Sequence, residues 1–399
     1  MKVEPILQQF LSELTPSMHL TRRLALQACV VSLLQGNAAT VTGIGRGINN
    51  EAKEKHRIKR ADRLCSNPHL QQALKGVYGR LCHYWTAPLP QPVILVDWSD
   101  LDEYKRHFLL RASLVVSGRP VTLYEEVHDI TTKEKPASHR RFLTRLAMAL
   151  NKDCKPIIVT DAGFKTPWFR TVLALGWDFV GRTRQPNFYR LEQQTHWQCI
   201  TELYQVANSR PKVLSGQITR NHPLDCRLVL YKQKTRGRHR LNRSGVPKRS
   251  KHSQVHAKGA KTPWLLSTSL PLDSTLARRV VNIYRTRMQI EEGFRDMKSR
   301  QYGLGFEQNK SQSLRRLSVL ILLTTLASMV LTLTGIAVTL AKKHRDYQAN
   351  SIKNKRVISF QFLGLRAIAD QRLKIPIALF RQAREKLNDY ALEAQYYAS

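Results

Sequence analysis

From Val319 to Ala341 the chain reads VLILLTTLASMVLTLTGIAVTLA, without a single charged residue. A run of that length can cross a bilayer. In water it must instead be a helix covered on every side. Five threonines, with Ser328 and Gly335, make it a weak membrane span. Basic pairs flank both ends (Arg315–Arg316 and Lys342–Lys343), so neither end is marked as the cytoplasmic one. The buried-helix reading leads, with the helix packed beneath a sheet in a sizeable domain. A chain of 399 residues has room for two or three domains.

Charge narrows the function. Lys and Arg number 65 against 29 Asp and Glu, a formal net charge of +36. Repulsion on that scale calls for a polyanionic partner, DNA or RNA, although a merely basic or ribosome-associated protein has the same balance. A hydrophobic content of 42% indicates a folded chain rather than a basic tail. The six cysteines (Cys29, Cys65, Cys82, Cys154, Cys199, Cys226) form no CxxC pair and no zinc-finger spacing. They read as free thiols in a reducing cytoplasm. The first thirty residues or so lack a clean apolar core before a cleavage site, so no signal peptide is expected.

Residues 1–85 read as helical and basic. Leu24, Leu26, Val30, Val31 and Leu34 mark an apolar helix that stops near Gly36–Asn37. A short segment, TVTGIGRGI, leads to the basic EAKEKHRIKRADRL. That succession suits a helix-turn-helix reader with its last helix in the major groove. Arg57, Lys59, Arg60 and Arg63 are its candidate DNA contacts, and a solvated charged face is the plainer alternative for each. The glycines of GIGRG follow no strand, so they make no nucleotide-binding loop.

After Pro88–Pro92 come VILV ending at Asp97, a hairpin of FLLRASLVV and PVTLYEEV, and a helix at about 138–150. PIIV then ends at Thr160–Asp161, TPWFRTVLALG reads as a helix and WDFVGRT as a strand. Residues 184–263 break into short strand-like pieces and a basic loop from Lys232 to Lys261. Helical periodicity returns from about 276 to about 300, and residues 342–399 read as a charged helical tail, a candidate partner-binding region.

A lone acid closing a buried apolar strand costs several kcal/mol unless it is paired or metal-bound. On neighbouring strands, Asp97 and Asp161 would repel or share a divalent cation. Each alone reads equally as a turn or cap residue. Further on stand Tyr284, Arg287, Glu291 and Lys298. At about 100° per residue they fall at about 0°, 300°, 340° and 320° on a continuous helix, while Glu292 lies about 80° away. An aromatic, two cations and one carboxylate on one stripe suit a metal beside a DNA phosphate. A salt-bridged solvent face is the alternative.

YRTRMQIEEGFRDMK fits Y-(2)-R-(3)-E-(6)-K, and here the chain resembles the bacterial insertion-sequence DDE transposases of the fourth family. The resemblance extends to ILVDWSD, SGRPVTLYE, IVTDAGFKTPWF, YGLG at 302–305 and HRIKRADRL, and weakens in the basic loop and the last fifty residues or so. It implies an α/β fold, a ribonuclease H-like mixed sheet flanked by helices and interrupted by a mostly β insertion. An all-helical end-binding domain at 1–85 would precede catalytic segments 86–183 and 264–341. The insertion would cover 184–263, and 342–399 would be a helical region, a candidate for dimerisation. Asp97, Asp161 and Glu291 match the family's metal-binding acids, with two Mg²⁺ ions per site and Mn²⁺ as a substitute. Tyr284, Arg287 and Lys298 would hold phosphates, and Trp264, in KTPWLLSTSL, would stack a flipped base, or else pack in the core. The implied partners are double-stranded DNA (transposon ends and target), a second copy in a synaptic complex and host DNA-bending proteins, with no membrane. The rivals are a catalytically silent DNA-binding copy, a junction-resolving nuclease of similar fold and a membrane protein.

Overall fold

Five helices open the chain: α1 (Glu4–Leu14), α2 (Leu20–Leu34), α3 (Val41–Gly47), α4 (Glu54–Cys65) and α5 (Pro68–Thr86). The computed structural model describes residues 4–233, 246, 262–349, 351–352 and 355–396. They fall into two units, Met1–Cys154 with Met288–Tyr396 and Lys155–Arg287. The glycine-rich TVTGIGRGI forms the short helix between the apolar and the basic helix, as expected. Thr40 caps it by accepting from the Gly43 amide at 2.9 Å. A Cβ at Gly45 would lie 2.4 Å from the Ile58 Cα, so glycine there allows α3 and α4 to cross closely.

The first unit continues with β1 (Val93–Asp100), β2 (His107–Leu114), β3 (Val121–Asp129) and α6 (Pro136–Ala149). The three strands form an antiparallel meander in the order β3-β2-β1. β2 is buried along its whole length, the polar His107, Arg111 and Ser113 included. β1 does not stop at Asp97, where its apolar run ends. Pairing continues through Trp98↔Leu110, Ser99↔Leu109 and Asp100↔Phe108, because the ladder is made by backbone groups and tolerates the polar residues.

The second unit holds β4 (Ile157–Thr160), α7 (Thr166–Ala174), β5 (Asp178–Thr183), β6 (Phe188–Leu191), β7 (Gln198–Cys199), α8 (Ile200–Gln205), β8 (Lys212–Ile218), β9 (Leu224–Tyr231), β10 (Trp264–Thr268) and α9 (Leu276–Arg285). Its strands run β4-β5-β10-β9-β8-β6-β7. β4 and β5 are parallel, joined through α7, and the other pairings are antiparallel. The sheet is therefore mixed, as expected. The basic loop from Lys232 to Lys261 lies almost wholly outside the described residues.

The chain then re-enters the first unit with α10 (Met288–Lys298), α11 (Leu314–Leu340), α12 (Phe360–Ala369) and α13 (Ala378–Tyr396). α11 contains the charge-free run. Among the described residues it is the one helix long and apolar enough to cross a membrane, yet it is buried by α2, α5, α12, α13 and β3. Burying each large apolar side chain contributes roughly 1.5–3 kcal/mol, so this helix organises the unit's core. Gly335 and Gly364 let α11 and α12 touch backbone to backbone, since a Cβ on either would meet a carbonyl oxygen at 2.0 Å. The C-terminal helices are thus packed elements. Gln395 on α13 accepts from the Val93 amide at 2.7 Å and donates to the Val115 carbonyl at 3.3 Å.

One polar knot sits inside this core. Glu125 on β3 is buried and accepts from Arg111 Nε at 2.6 Å, Tyr78 Oη at 2.9 Å and Thr325 Oγ1 at 2.5 Å. Arg111, also buried, lies over the Phe294 ring and reaches Met297 Sδ at 3.1 Å. A buried charge needs partners of this kind. The pair ties β2, β3, α5 and α11 to the underside of α10.

Candidate active site and nucleic-acid interface

In the first unit Asp97 stands in the middle of β1, opposite Arg111, with its Oδ1 accepting from the Trp98 amide at 2.8 Å. Ser99 follows two residues later, on the same strand face. Lys298, in the last turn of α10, donates from Nζ to Ser99 Oγ at 2.7 Å. Burial lowers the Lys298 pKa, which neighbouring Arg111 lowers further and Asp100 raises. Glu291 lies seven residues earlier on α10, almost two full turns, so it shares a face with Lys298. Glu291 is exposed. Its neighbour Glu292 is held by Arg119 at 2.9 Å and by Arg295, and Arg119 also binds Asp296 at 2.8 Å.

The single stripe expected over residues 276–300 is corrected by a break. α9 ends at Arg285 because its last amides close tighter turns: Thr286 N bonds to Ile283 O and Arg287 N to Tyr284 O, both at 3.1 Å. The Thr286 hydroxyl adds a 2.7 Å bond to the Ile283 carbonyl. Angles counted from Tyr284 therefore do not carry through to Glu291, and only the Glu291–Lys298 part of that count survives.

In the second unit Asp161 follows the last residue of β4 and turns the chain by accepting from the Gly163 amide at 2.8 Å. Tyr284 is 4% exposed and meets the half-buried Trp264 edge to face, ring centres 5.0 Å apart. Trp264 also packs against Tyr231 at 5.7 Å. The Arg287 guanidinium lies 5.9 Å from the Tyr284 ring centre. Burial raises the Tyr284 pKa; Arg287 and Arg182 oppose the rise and Asp161 adds to it. Asp161, Arg182, Arg287 and Tyr284 are thus close enough to feel one another. Arg182 on β5 was not singled out from the sequence. It is buried, its pKa is lowered by burial, and among the described residues its Nε has no hydrogen-bond partner. Its position in WDFVGRT, an otherwise apolar strand, was the available signal.

The four basic residues of α4 separate into two pairs. Arg57 donates to Ile48 O at 2.8 Å, and Arg60 reaches Leu24 O at 3.3 Å. Arg57 thus caps the C-terminal end of α3, and Arg60 adds a second contact to a carbonyl within α2. Lys59 and Arg63 lie exposed on the other face.

Among the described residues no three of His, Cys, Asp and Glu gather as a ready metal site. Asp97 and Glu291 belong to one unit and Asp161 to the other. The fit to a hard divalent cation rests on donor chemistry: three carboxylates offer only oxygen, the ligand type Mg²⁺ takes. The Asp97 and Asp161 carboxylates are each oriented by a backbone amide. Over residues 88–330, more than half of its length, the chain matches the protein family described as Transposase DDE domain. No curated protein matches it.

Proposed function

The chain belongs to the Transposase DDE domain family, and from that premise we propose that it is a cut-and-paste transposase of the fourth insertion-sequence family, similar to the transposase of insertion sequence ten. It acts on double-stranded DNA. The succession of an antiparallel meander, a helix, two parallel strands joined through a helix and then an antiparallel extension supports a ribonuclease H-like catalytic core with a β insertion.

Asp97, Asp161 and Glu291 would hold two Mg²⁺ ions. Bound there, such ions activate the attacking oxygen and stabilise the leaving 3′ oxygen during in-line phosphoryl transfer. The observation that carries the reading is the Lys298–Ser99 hydrogen bond. It ties the helix bearing Glu291 to the strand bearing Asp97, and Glu291, on the same helix face as Lys298, would lie towards that strand. Glu292, one residue and about 100° further round α10, falls off the face that Glu291 shares with Lys298 and is the poorer candidate.

The chain's own groups hold the substrate. Lys298, Arg287 and Arg182 offer positive charge to backbone phosphates, and Tyr284 a hydroxyl. Lys59 and Arg63 on α4 face outward to meet the transposon end. The reaction runs as four transfers at one site: water nicks the end, the freed 3′-hydroxyl attacks the opposite strand to form a hairpin, water opens it, and the 3′-hydroxyl joins target DNA. Trp264 stacks the base displaced by the hairpin bend. Two ends require two copies of the chain, with host DNA-bending proteins as candidate helpers and the cytoplasm as the place of action.

The test is Mg²⁺-dependent cleavage of a labelled duplex carrying the element's own end, with Glu291→Ala as the comparison and products resolved on a denaturing gel. A hairpin from wild type and none from the variant supports the reading. Binding without cleavage by wild type favours a silent copy, and cleavage by Glu291→Ala removes Glu291 from the site.

A further inference from the structure

Within the first unit, α5 and α6 lie side by side with a cavity of about 700 Å³ between their outer faces. Gly76 and Gly79 form part of its wall. A Cβ at either position would meet nothing within 4 Å. Glycine weakens a helix interior, and here no neighbouring element needs the space the two glycines leave. They leave the α5 backbone open at the groove wall. Four cations surround the opening: Lys75, Arg140, Arg141 and Arg145. Glu126 takes Arg145 at 2.8 Å and Arg141 at 3.9 Å, which fixes both guanidiniums and neutralises one charge. Lys75 and Arg140 are exposed, and among the described residues neither is in an ion pair. A second cavity of about 220 Å³ shares Lys75, Tyr124, Arg141 and Arg145 with the first, so the groove is elongated.

An elongated, glycine-walled groove with surplus positive charge is complementary to a phosphate backbone rather than to a compact anion. Arg and Lys contacts to phosphate position a duplex without reading its sequence. We infer that the α5–α6 groove binds duplex DNA of arbitrary sequence, separately from the acids on β1 and α10. Given the transposase reading, on which this identification of the duplex rests, that DNA is the target.

The probe is a short fluorescein-labelled duplex of mixed sequence, read by anisotropy over a range of salt. Lys75→Glu with Arg140→Glu is expected to weaken binding on the order of tenfold and to make the salt slope shallower by about two. Gly76→Leu with Gly79→Leu fills the groove without touching charge; it is expected to keep or raise thermal stability yet weaken binding several-fold. Lys374→Glu with Arg381→Glu, an equal charge change on exposed residues elsewhere in the unit, is expected to bind like wild type. Wild-type binding by the filled groove overturns the inference, as does an equal loss in the control. Nicking of the element's own end is read in the same proteins, with nicking kept and joining to a second duplex lost as the expected result. If wild type does not nick, the transposase reading falls while the binding comparison still decides the groove.

Discussion

Lys298 Nζ sits 2.7 Å from Ser99 Oγ, joining the last turn of α10 to the strand that bears Asp97 two residues earlier. Burial lowers the pKa of this ammonium, so a hydroxyl acceptor matters to it more than it would at the surface. Removing the acceptor should loosen the helix face that carries Glu291. Ser99→Ala is expected to slow end cleavage by on the order of tenfold, the rate equivalent of one charge-assisted hydrogen bond. Binding of the end, measured by gel shift, should stay at the wild-type level. Equal losses in binding and cleavage would assign the bond to overall folding instead.

The adjacent acids Glu291 and Glu292 should separate cleanly. Glu291→Gln is expected to abolish Mg²⁺-dependent cleavage while leaving binding of the element's end, measured by gel shift, in place. Glu292→Gln breaks a partly exposed cluster with Arg119, so about 1 kcal/mol or less of stability is lost and cleavage persists. A cleavage-dead Glu292→Gln with an active Glu291→Gln would reverse the assignment.

On α4 the contrast is between caps and contacts. Lys59→Ala with Arg63→Ala should weaken binding to the element's end and make the salt slope shallower by about two, with no change in stability. Arg57→Ala removes a donor from the Ile48 carbonyl and is expected to cost about 1 kcal/mol of stability. Urea titration and anisotropy on the same samples test both. Loss of DNA binding by Arg57→Ala at full stability would contradict the capping role.

What could be read in advance follows the range of the interaction. The strands VILV and PIIV, the hairpin after Asp97 and the buried nature of residues 319–341 are local patterns, and each forms, with β1 running on past Asp97 to Asp100. The break at Thr286–Arg287 was hidden because nothing in RTRMQ is a helix breaker; a tightened last turn ends α9. The roles of Arg57 and Arg60 depend on carbonyls at Ile48 and Leu24, and that of Lys298 on Ser99, about two hundred residues away. The Arg111–Glu125 pair looked like ordinary strand residues, because only packing against α5 and α11 shows that both are buried.

His139 gives a prediction in pH. Its ring is 7% exposed and accepts from Trp98 Nε1 at 3.2 Å. Burial, with the nearby His128 adding to the effect, pushes its pKa down to about 4. A histidine depressed in the folded state is neutral in both states above its ordinary pKa of roughly 6.5, and its contribution to stability is complete there. As pH falls from that value to about 4, the unfolded chain takes up the proton first and stability drops. The span corresponds to about 3 kcal/mol. Urea unfolding at pH 7 and pH 4.5 should show wild type losing more stability than His139→Gln. Parallel losses in the two proteins would remove His139 as the cause.

Trp264 has two roles to tell apart. It packs against Tyr284 and Tyr231, so Trp264→Ala loses packing whatever the ring does with DNA. That loss is roughly 2–4 kcal/mol for an aromatic that is only partly buried. A base stacked on the exposed part of the ring would add about 1–3 kcal/mol to the hairpin-forming complex alone. The two are distinguished by changing the DNA as well as the protein. A substrate with an abasic site at the displaced nucleotide already lacks the stack. If Trp264 holds that base, Trp264→Ala slows hairpin formation on intact DNA and adds little on the abasic substrate. A ring that only packs gives the same slowing on both substrates, because a loosened Tyr284 cannot depend on whether the base is present.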